Sequence, residues 1–288
     1  MTPMNTVEET LRLAARSLAQ HSESPRLDAE VLLSAVLGVA RSALIARGTE
    51  RIAGDALLAY QSLIERRVNG APVAYLTGTR EFWSLALKVT PAVLVPRPET
   101  EVLVELALEL LPPDQERSIL DLGTGSGAIA LAIASERPRT RVTGVDVSPA
   151  ALGVARENSR ALALPQVAWR LGSWFDAVPG ERFDMVVANP PYVAAQDRAL
   201  EALAAEPALA LCCGRTGLES LAAIVAGAAS HLKPSGWLLL EHGSTQGRDV
   251  AQLLERHGFN GVRSHDDHSG LPRVTLGTIH SPPHEELS

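Results

Sequence analysis

Cysteine is nearly missing from this chain: there are two in 288 residues, Cys212 and Cys213, and they are adjacent. A neighbouring pair makes no disulfide framework and no spaced set of metal ligands, so both read as reduced packing residues. The eight histidines include no i, i+4 pair flanking a glutamate, and no metal is expected. There is no run of about 18 apolar residues and no charged-then-apolar opening segment, so neither a membrane span nor a signal peptide is expected. The reading is cytoplasmic. Positive charge is short as well: 26 Lys plus Arg stand against 33 Asp plus Glu, a net charge of −7, which argues against broad affinity for nucleic acid. What is present, 46% hydrophobic and 20% charged residues, is an ordinary globular composition with length enough for two domains.

The first 73 residues read as a small helical domain. Thr6 with Glu9 makes a capping box, and Leu11, Ala14 and Leu18 follow at helical spacing. Ser24-Pro25 opens the next helix, whose buried face is expected to be Leu27, Val31, Leu32, Ala35 and Val36, with Gly38 near its end. A further helix from about Ala53 carries Leu57, Tyr60 and Ile64 toward Gly70. Up to that glycine the chain has eight Lys plus Arg and eight Asp plus Glu. Such a balanced module offers no footprint for DNA or RNA and suits a protein partner better, or else serves as a lid.

Residues 74–95 read as a β-hairpin linker. Trp83, Leu85, Leu87 and Val89 alternate, and Thr90-Pro91 turns the chain before Ala92-Val-Leu-Val95. The second domain, 96–280, opens with Pro96-Arg-Pro-Glu-Thr-Glu101 and a helix running to Leu111. Strands near 118–122, 141–147, 166–171, 184–188 and 237–242 then alternate with helices near 126–136, 149–162, 216–232 and 247–257, which implies a parallel sheet covered on both faces. Strands near 262–266 and 273–279 are joined by Asp267-His-Ser-Gly-Leu-Pro272, too short for a crossover helix, so the last strand is expected to be antiparallel. The fold class is therefore α/β, with seven mostly parallel strands, and residues 281–288 form a frayed tail.

Two stretches carry chemistry. In Asp184-Met-Val-Val-Ala-Asn189-Pro190-Pro191-Tyr192 the prolines hold Asn189 extended at a strand's end and turn the chain out of the sheet. The Asn189 side-chain carbonyl and the Pro190 backbone carbonyl can then accept both hydrogens of a planar NH2 group, against which Tyr192 stacks. A conjugated nitrogen is a poor nucleophile, so fixing both N–H bonds and aiming its lone pair suggests alkyl transfer to such a nitrogen. The plainer reading is a turn after a strand. The second stretch, Asp121-Leu-Gly123-Thr124-Gly125-Ser126-Gly127, lies between the first strand of the sheet and its helix, where glycine admits a ligand close to the backbone. No Lys-Ser or Lys-Thr follows, which removes the phosphate-cradle reading, and Asp146 at the tip of the next strand is placed to accept from both ribose hydroxyls of an adenosine.

The glycine loop, Asp146 and Asn189-Pro-Pro-Tyr192, in this order, resemble the class I S-adenosylmethionine-dependent methyltransferases that act on amide or amino nitrogens. Ser24-Pro-Arg-Leu-Asp-Ala-Glu30, Tyr75-Leu-Thr-Gly-Thr-Arg-Glu-Phe-Trp83, Val95-Pro-Arg-Pro-Glu-Thr-Glu101 and Leu239-Leu-Glu-His-Gly243 narrow the resemblance to the peptide chain release factor glutamine N5-methyltransferases, the HemK-like or PrmC family, over about residues 7 to 279. The resemblance implies the class I methyltransferase fold, a front domain that docks substrate, and S-adenosylmethionine as methyl donor without a metal. It implies that Gly123, Thr124, Gly125, Ser126, Gly127 and Asp146 hold the donor's methionine and ribose, that Trp174 packs on its adenine, and that Asn189 lies beside it. Asn189, Pro190, Pro191 and Tyr192 would bind the glutamine amide of the Gly-Gly-Gln loop of class I release factors, which makes those proteins the partners and translation termination the process. The other readings kept are an N6-adenine or N2-guanine nucleic-acid methyltransferase, from which the missing basic module separates this chain, and a cofactor-binding protein without catalysis. Two departures stand out: Ser173 stands where many relatives have an acid that accepts the adenine amino group, and the segment after Tyr192 is short and alanine-rich before Glu206-Pro207, with Cys213-Gly214 also in place of a Gly-Gly or Ala-Ala type pair. No substrate role is assigned in 193–215.

Overall fold

The computed structural model describes residues 6–279; the tail expected at 281–288 lies outside them. The chain divides into two compact units after Thr79. The first holds α1 (Val7–Leu18), α2 (Pro25–Leu37), α3 (Arg41–Ala46), α4 (Gly54–Val68) and α5 (Val73–Thr77). The capping box forms: Thr6 Oγ1 accepts from the Glu9 N–H at 3.3 Å, and Glu9 Oε2 accepts from the Thr6 N–H at 3.0 Å. Leu11, Leu18, Leu32, Leu33 and Tyr60 are the fully buried centre of this unit, and the Tyr60 hydroxyl is satisfied by the Ala29 carbonyl at 3.0 Å. The buried face of α2 differs from the one expected. Leu27 and Ala35 are exposed, and Asp28, Ala29, Leu32 and Leu33 face inward. The reason is Asp28, whose carboxylate accepts from Arg67 Nε at 2.8 Å and Ser22 Oγ at 2.7 Å. Once that paired charge turns inward, the residue before it is carried about 100° round the helix to solvent.

The second unit begins one residue into a hairpin of β1 (Thr79–Phe82) and β2 (Leu85–Lys88). Its turn is Trp83-Ser84, both with positive φ (52° and 58°), as the right-handed twist of a two-residue hairpin requires. Thr90-Pro91 is not that turn, and Ala92 to Val95 is not a strand. The Val95 N–H is instead taken by Glu206 Oε2 at 3.0 Å, which leaves it nothing to offer a neighbouring strand. Then come α6 (Glu101–Leu110), β3 (Ser118–Leu122), α7 (Ala128–Glu136), β4 (Arg141–Asp146), α8 (Pro149–Ala161), β5 (Ala168–Leu171), β6 (Phe183–Ala188), α9 (Ala199–Ala202), α10 (Ala208–Leu211), α11 (Glu219–His231), β7 (Leu232–Glu241), α12 (Gly247–Arg256), β8 (Phe259–Asp266) and β9 (Pro272–Ile279).

The seven-stranded sheet has the order β5-β4-β3-β6-β7-β9-β8. Neighbours from β5 to β7 are parallel, and β9 is antiparallel to both β7 and β8. Alternation along each strand feeds two apolar layers. Ile119, Val142, Met185 and Leu239 face α6 and α7, while Leu120, Val145, Val186 and Leu238 face α11 and α12. Each such fully buried side chain contributes about 1.5–3 kcal/mol. Connections run outward in opposite directions from β3 and β6, so the carboxyl ends of these two strands open a crevice at the switch point of the sheet.

Candidate active site

Sheet register fixes what meets in that crevice. Leu122 of β3 lies opposite Ala188 of β6 and Val145 of β4, so Gly123 and Asn189, the first residues beyond β3 and β6, and Asp146, the last residue of β4, meet at the sheet's edge side by side. A cavity of about 360 Å³ opens there, lined by Gly123, Thr124, Gly125, Ser126, Asp146, Ser173, Trp174, Asn189 and Pro191 among others. That volume is within the range of small-molecule sites.

The glycine loop is shaped by its hydrogen bonds to β4. The Gly123 and Thr124 N–H groups both donate to the Val145 carbonyl at 2.9 Å, and Gly125 N–H donates to Asp146 Oδ2 at 2.8 Å. Asp146 Oδ1 accepts from the Ser148 N–H at 2.8 Å. A carboxylate offers about four lone-pair sites, so Asp146 keeps accepting capacity for a ligand hydroxyl. Burial raises the Asp146 pKa and three backbone N–H groups oppose the shift. Gly123 has φ 71°, and a side chain there would meet the Trp174 ring at 3.5 Å, so the indole lies over the bare backbone. Gly127 stands apart from the cavity lining. A Cβ on it would come within 2.8 Å of Trp169 and 3.1 Å of Leu131, so its task is to let α7 pack rather than to face a ligand.

Two features depart from routine packing. Trp174 holds φ 46° at the start of a 3-10 turn, Trp174–Ala177, a conformation costing about 1–3 kcal/mol in a bulky residue and commonest at ligand sites. Asp121 is fully buried; its Oδ2 accepts from Thr124 Oγ1 at 2.5 Å, and among the described residues its Oδ1 takes no hydrogen bond of normal geometry, though the Ala130 N–H is close enough to favour the ionised form. Burial pushes its pKa up to about 7.

At the opposite wall, Asn189 Nδ2 donates to Thr100 Oγ1 at 3.2 Å. Asn189 Oδ1 takes no hydrogen bond among the described residues. Pro190 is buried and Tyr192 half-buried, and neither lines the cavity. The Tyr192 hydroxyl donates to Glu241 Oε1 at 3.4 Å and its carbonyl accepts from Gln246 Nε2 at 3.1 Å. Burial raises the Tyr192 pKa.

Sequence reading missed the cover of the site. After Tyr192 the chain makes a loop closed by Val193 N–H to the Leu211 carbonyl at 2.9 Å and Cys213 N–H to the Val193 carbonyl at 3.0 Å. Its far limb, Pro207, Leu209, Ala210 and Cys212, lines the cavity, as do Pro96, Arg97 and Thr100 from the stretch before α6. Buried Glu206 ties the two limbs by pairing with Arg97 and accepting from the Val95 N–H. The signal available was the acid directly before Pro207 in an alanine-rich run. Among the described residues no group of three or more His, Cys, Asp or Glu side chains is arranged to hold a metal ion, and no helix is long and apolar enough to cross a membrane.

The sequence matches the PrmC N-terminal domain over residues 9–78 and the methyltransferase small domain over 100–211. It is 48% identical over 269 residues to the release factor glutamine methyltransferase of Yersinia pestis, covering 93% of this chain and 96% of that one. The Escherichia coli K12 protein of the same name is 44% identical over 265 residues, with 91% and 95% covered. A methyltransferase from Pyrococcus furiosus shares the fold (TM-score 0.53, 18% identity, 77% of this chain and 98% of that). So does the T. thermophilus 16S rRNA N2 G1207 methyltransferase RsmC, solved with AdoMet and guanosine (TM-score 0.55, 23% identity, 70% and 50%).

Proposed function

This chain belongs to the release factor glutamine methyltransferase family, and from that premise we propose how its residues carry the reaction. It is an S-adenosylmethionine-dependent enzyme that methylates a glutamine side-chain amide in peptide chain release factors. The nucleic-acid alternative is not favoured, since relatives nearly half identical over almost their whole length are named for release factors.

The residues present fit the methyl donor. A carboxylate with spare lone pairs at a strand tip suits a ribose, a strained tryptophan beside the cavity suits a flat base, and a buried acid with one oxygen free of a normal hydrogen bond sits behind the loop. In this reading Asp146 accepts from the ribose hydroxyls, Trp174 packs on the adenine with Ser173 beside it, and Gly123 to Ser126 hold the methionine end. Gly127 acts through the packing of α7. Bound S-adenosylmethionine supplies a methyl group on positively charged sulfur, open to a nitrogen lone pair.

The chain's own part is to hold that nitrogen. Asn189 Oδ1 and the Pro190 carbonyl accept the two amide hydrogens, which fixes the plane of the group and so aims the nitrogen lone pair. Pro191 from the cavity lining and Tyr192 from just outside it wall the planar group, and the two carbonyls stabilise the positive charge that develops on nitrogen. Because the amide N–H is far too weakly acidic to be removed beforehand, no general base is assigned, and the strongly acidic N-methylated amide gives up its proton to water after attack. The substrate glutamine is that of the Gly-Gly-Gln loop of class I release factors, and the helical front unit docks the rest of the factor.

The observation that carries this reading is the Asn189 amide, anchored through Nδ2 to Thr100 with Oδ1 unclaimed, in the same cavity as Asp146 and the glycine loop. Mass spectrometry of a purified class I release factor, incubated with this protein and the donor, should find one added methyl on the glutamine. Asn189→Ala should keep donor affinity and lose about 3 kcal/mol of transition-state stabilisation, roughly a hundredfold in rate. A folded Asn189→Ala protein with full activity and unchanged donor binding would end the carbonyl-pair mechanism.

A further inference from the structure

The loop over the cavity leaves the sheet after Tyr192 and returns toward α11 at Gly217. Its two feet touch: a Cβ on Gly217, which holds φ 79°, would lie 2.5 Å from the Tyr192 carbonyl oxygen. Above the feet the limbs are bonded to each other, through Val193 with Leu211 and Cys213, and through the Ala195 N–H to the Gly214 carbonyl at 2.9 Å. Those bonds shape the loop but do not say where it stands on the sheet. At the feet, each limb turns a carbonyl toward one side chain from another element.

That side chain is Gln246, the residue before α12. Its Nε2 donates to the Tyr192 carbonyl at 3.1 Å and to the Gly217 carbonyl at 3.3 Å, and its Oε1 accepts from the Gly243 N–H at 2.9 Å. A half-turn of the carboxamide would set oxygen against two carbonyls and NH2 against an N–H, so all three partners demand one orientation. The backbone is pinned as well. The Gln246 N–H donates to the Gly243 carbonyl at 2.9 Å and its carbonyl accepts from the Val250 N–H at 3.0 Å, while Val250 and Leu254 bury α12 in the apolar layer beneath it.

We propose that Gln246 is a positioning residue of the methyl transfer: it clasps the neck of the cover loop, one N–H to each foot, and so holds the segment that grips the glutamine amide and the wall of the donor cavity in a single register. The inference rests on the reading of Asn189-Pro-Pro-Tyr192 given above. The first foot is the end of that segment. Its two prolines have fixed φ, so a carbonyl held at Tyr192 limits how far the Pro190 carbonyl and the Tyr192 ring can swing. The second foot leads back through Cys213 to Cys212, which lines the cavity. Opening the neck therefore loosens the amide-holding segment and the wall together. Local opening costs only what the few contacts of a loop supply, and a small misplacement of reacting groups is expensive in rate.

The test uses the full chain, saturating donor and a purified class I release factor, with rates counted per donor-binding site from calorimetric stoichiometry so that misfolded protein does not enter. Gln246→Met keeps the length of the side chain and removes both donations. Gln246→Glu keeps the acceptor for Gly243 and sets a carboxylate against the two carbonyls. Either should lower kcat about tenfold, the worth of one hydrogen bond, with KM for the intact factor at its wild-type value. Trypsin reports on the neck itself, because Arg198 and Arg215 are exposed within the loop. In the donor-free protein both variants should be cut there about tenfold faster, under conditions in which cleavage follows the open population. Gly217→Ala, which drives a methyl against the Tyr192 carbonyl and leaves Gln246 in place, should reproduce both effects. Wild-type kcat in a folded Gln246→Met or Gln246→Glu protein would overturn the proposal even if its melting temperature were lower, since the bonds would then only stabilise. A slower enzyme that trypsin cuts at the wild-type rate would overturn it too, because the loop then stands without the clasp. Asn189→Ala in the same assay separates the two readings. If it is inactive while the Gln246 variants turn over as wild type, only the clasp fails; if it is fully active, the Asn189 mechanism fails, and with it the part of Gln246 in positioning, whatever the tryptic rate.

Discussion

Two aspartates a strand apart show how one local sequence puts similar residues to different uses. Asp146 emerges at the tip of β4, where backbone N–H groups and the cavity share it. Asp121 points inward from β3, accepts from the Thr124 hydroxyl, and keeps one oxygen without a hydrogen bond of normal geometry among the described residues. Its folded pKa is raised to about 7 from an ordinary 3.8, so its contribution to stability is fully present below about pH 4 and lost as pH rises through about 7. The shift of about three units corresponds to no more than about 4 kcal/mol. Asp121→Asn removes the titration while placing an amide in the same pocket. In the donor-free protein, the stability of Asp121→Asn relative to wild type should therefore be higher at pH 8 than at pH 4.5, whatever the fixed cost of the amide. Denaturant unfolding at the two pH values measures this, and an identical difference at both would mean that Asp121 is not destabilised by ionising. Glu241, also raised to about 7 by burial, adds a slope of the same sign to the wild type and to the variant alike.

Regular elements were legible where periodicity and punctuation agreed. The strands of the sheet are continuous apolar runs with glycine or acid at their tips, and the short Asp267–Pro272 link already implied an antiparallel last strand. The loop over the cavity was not legible, because neither of its limbs has a repeating pattern. Its shape comes from contacts far apart in sequence: Val193 with Leu211 and Cys213, and Glu206 with Arg97 and Val95. The rotation of α2 escaped for the same reason, since Asp28 faces inward only because Arg67, two helices later, meets it. The cover loop makes its own prediction. Glu206→Ala strands the Val95 N–H in the interior and removes the buried partner of the one-third-exposed Arg97, which should cost about 1–3 kcal/mol of stability. It should also weaken donor binding, because Pro207 to Cys212 form one wall of the cavity. Thermal unfolding and calorimetry read these separately, and unchanged donor affinity in a destabilised variant would remove the loop from the site.

At the scale of the whole molecule, every residue lining the cavity belongs to the second unit. The surface of the first unit has a character of its own. Leu13, Leu27, Ile45 and Leu58 are large apolar side chains at 47%, 41%, 83% and 65% exposure, on a module whose charges balance to zero, eight against eight, up to Gly70. Such a surface meets protein more readily than nucleic acid, and the substrate here is a protein far larger than one glutamine. Ile45 on α3 and Leu58 on α4 are the most exposed of the four, so replacing either with glutamate should leave the helical core intact, as surface changes usually do. If this unit docks the release factor, Ile45→Glu or Leu58→Glu should raise KM for the intact factor by roughly tenfold, the cost of losing one apolar contact at an interface. The rate on a short peptide containing Gly-Gly-Gln should stay the same, because the peptide needs only the second unit. If both variants methylate the intact factor with wild-type KM, these side chains lie outside the docking face; if the peptide rate falls as well, the front unit supports the catalytic unit instead of choosing its substrate.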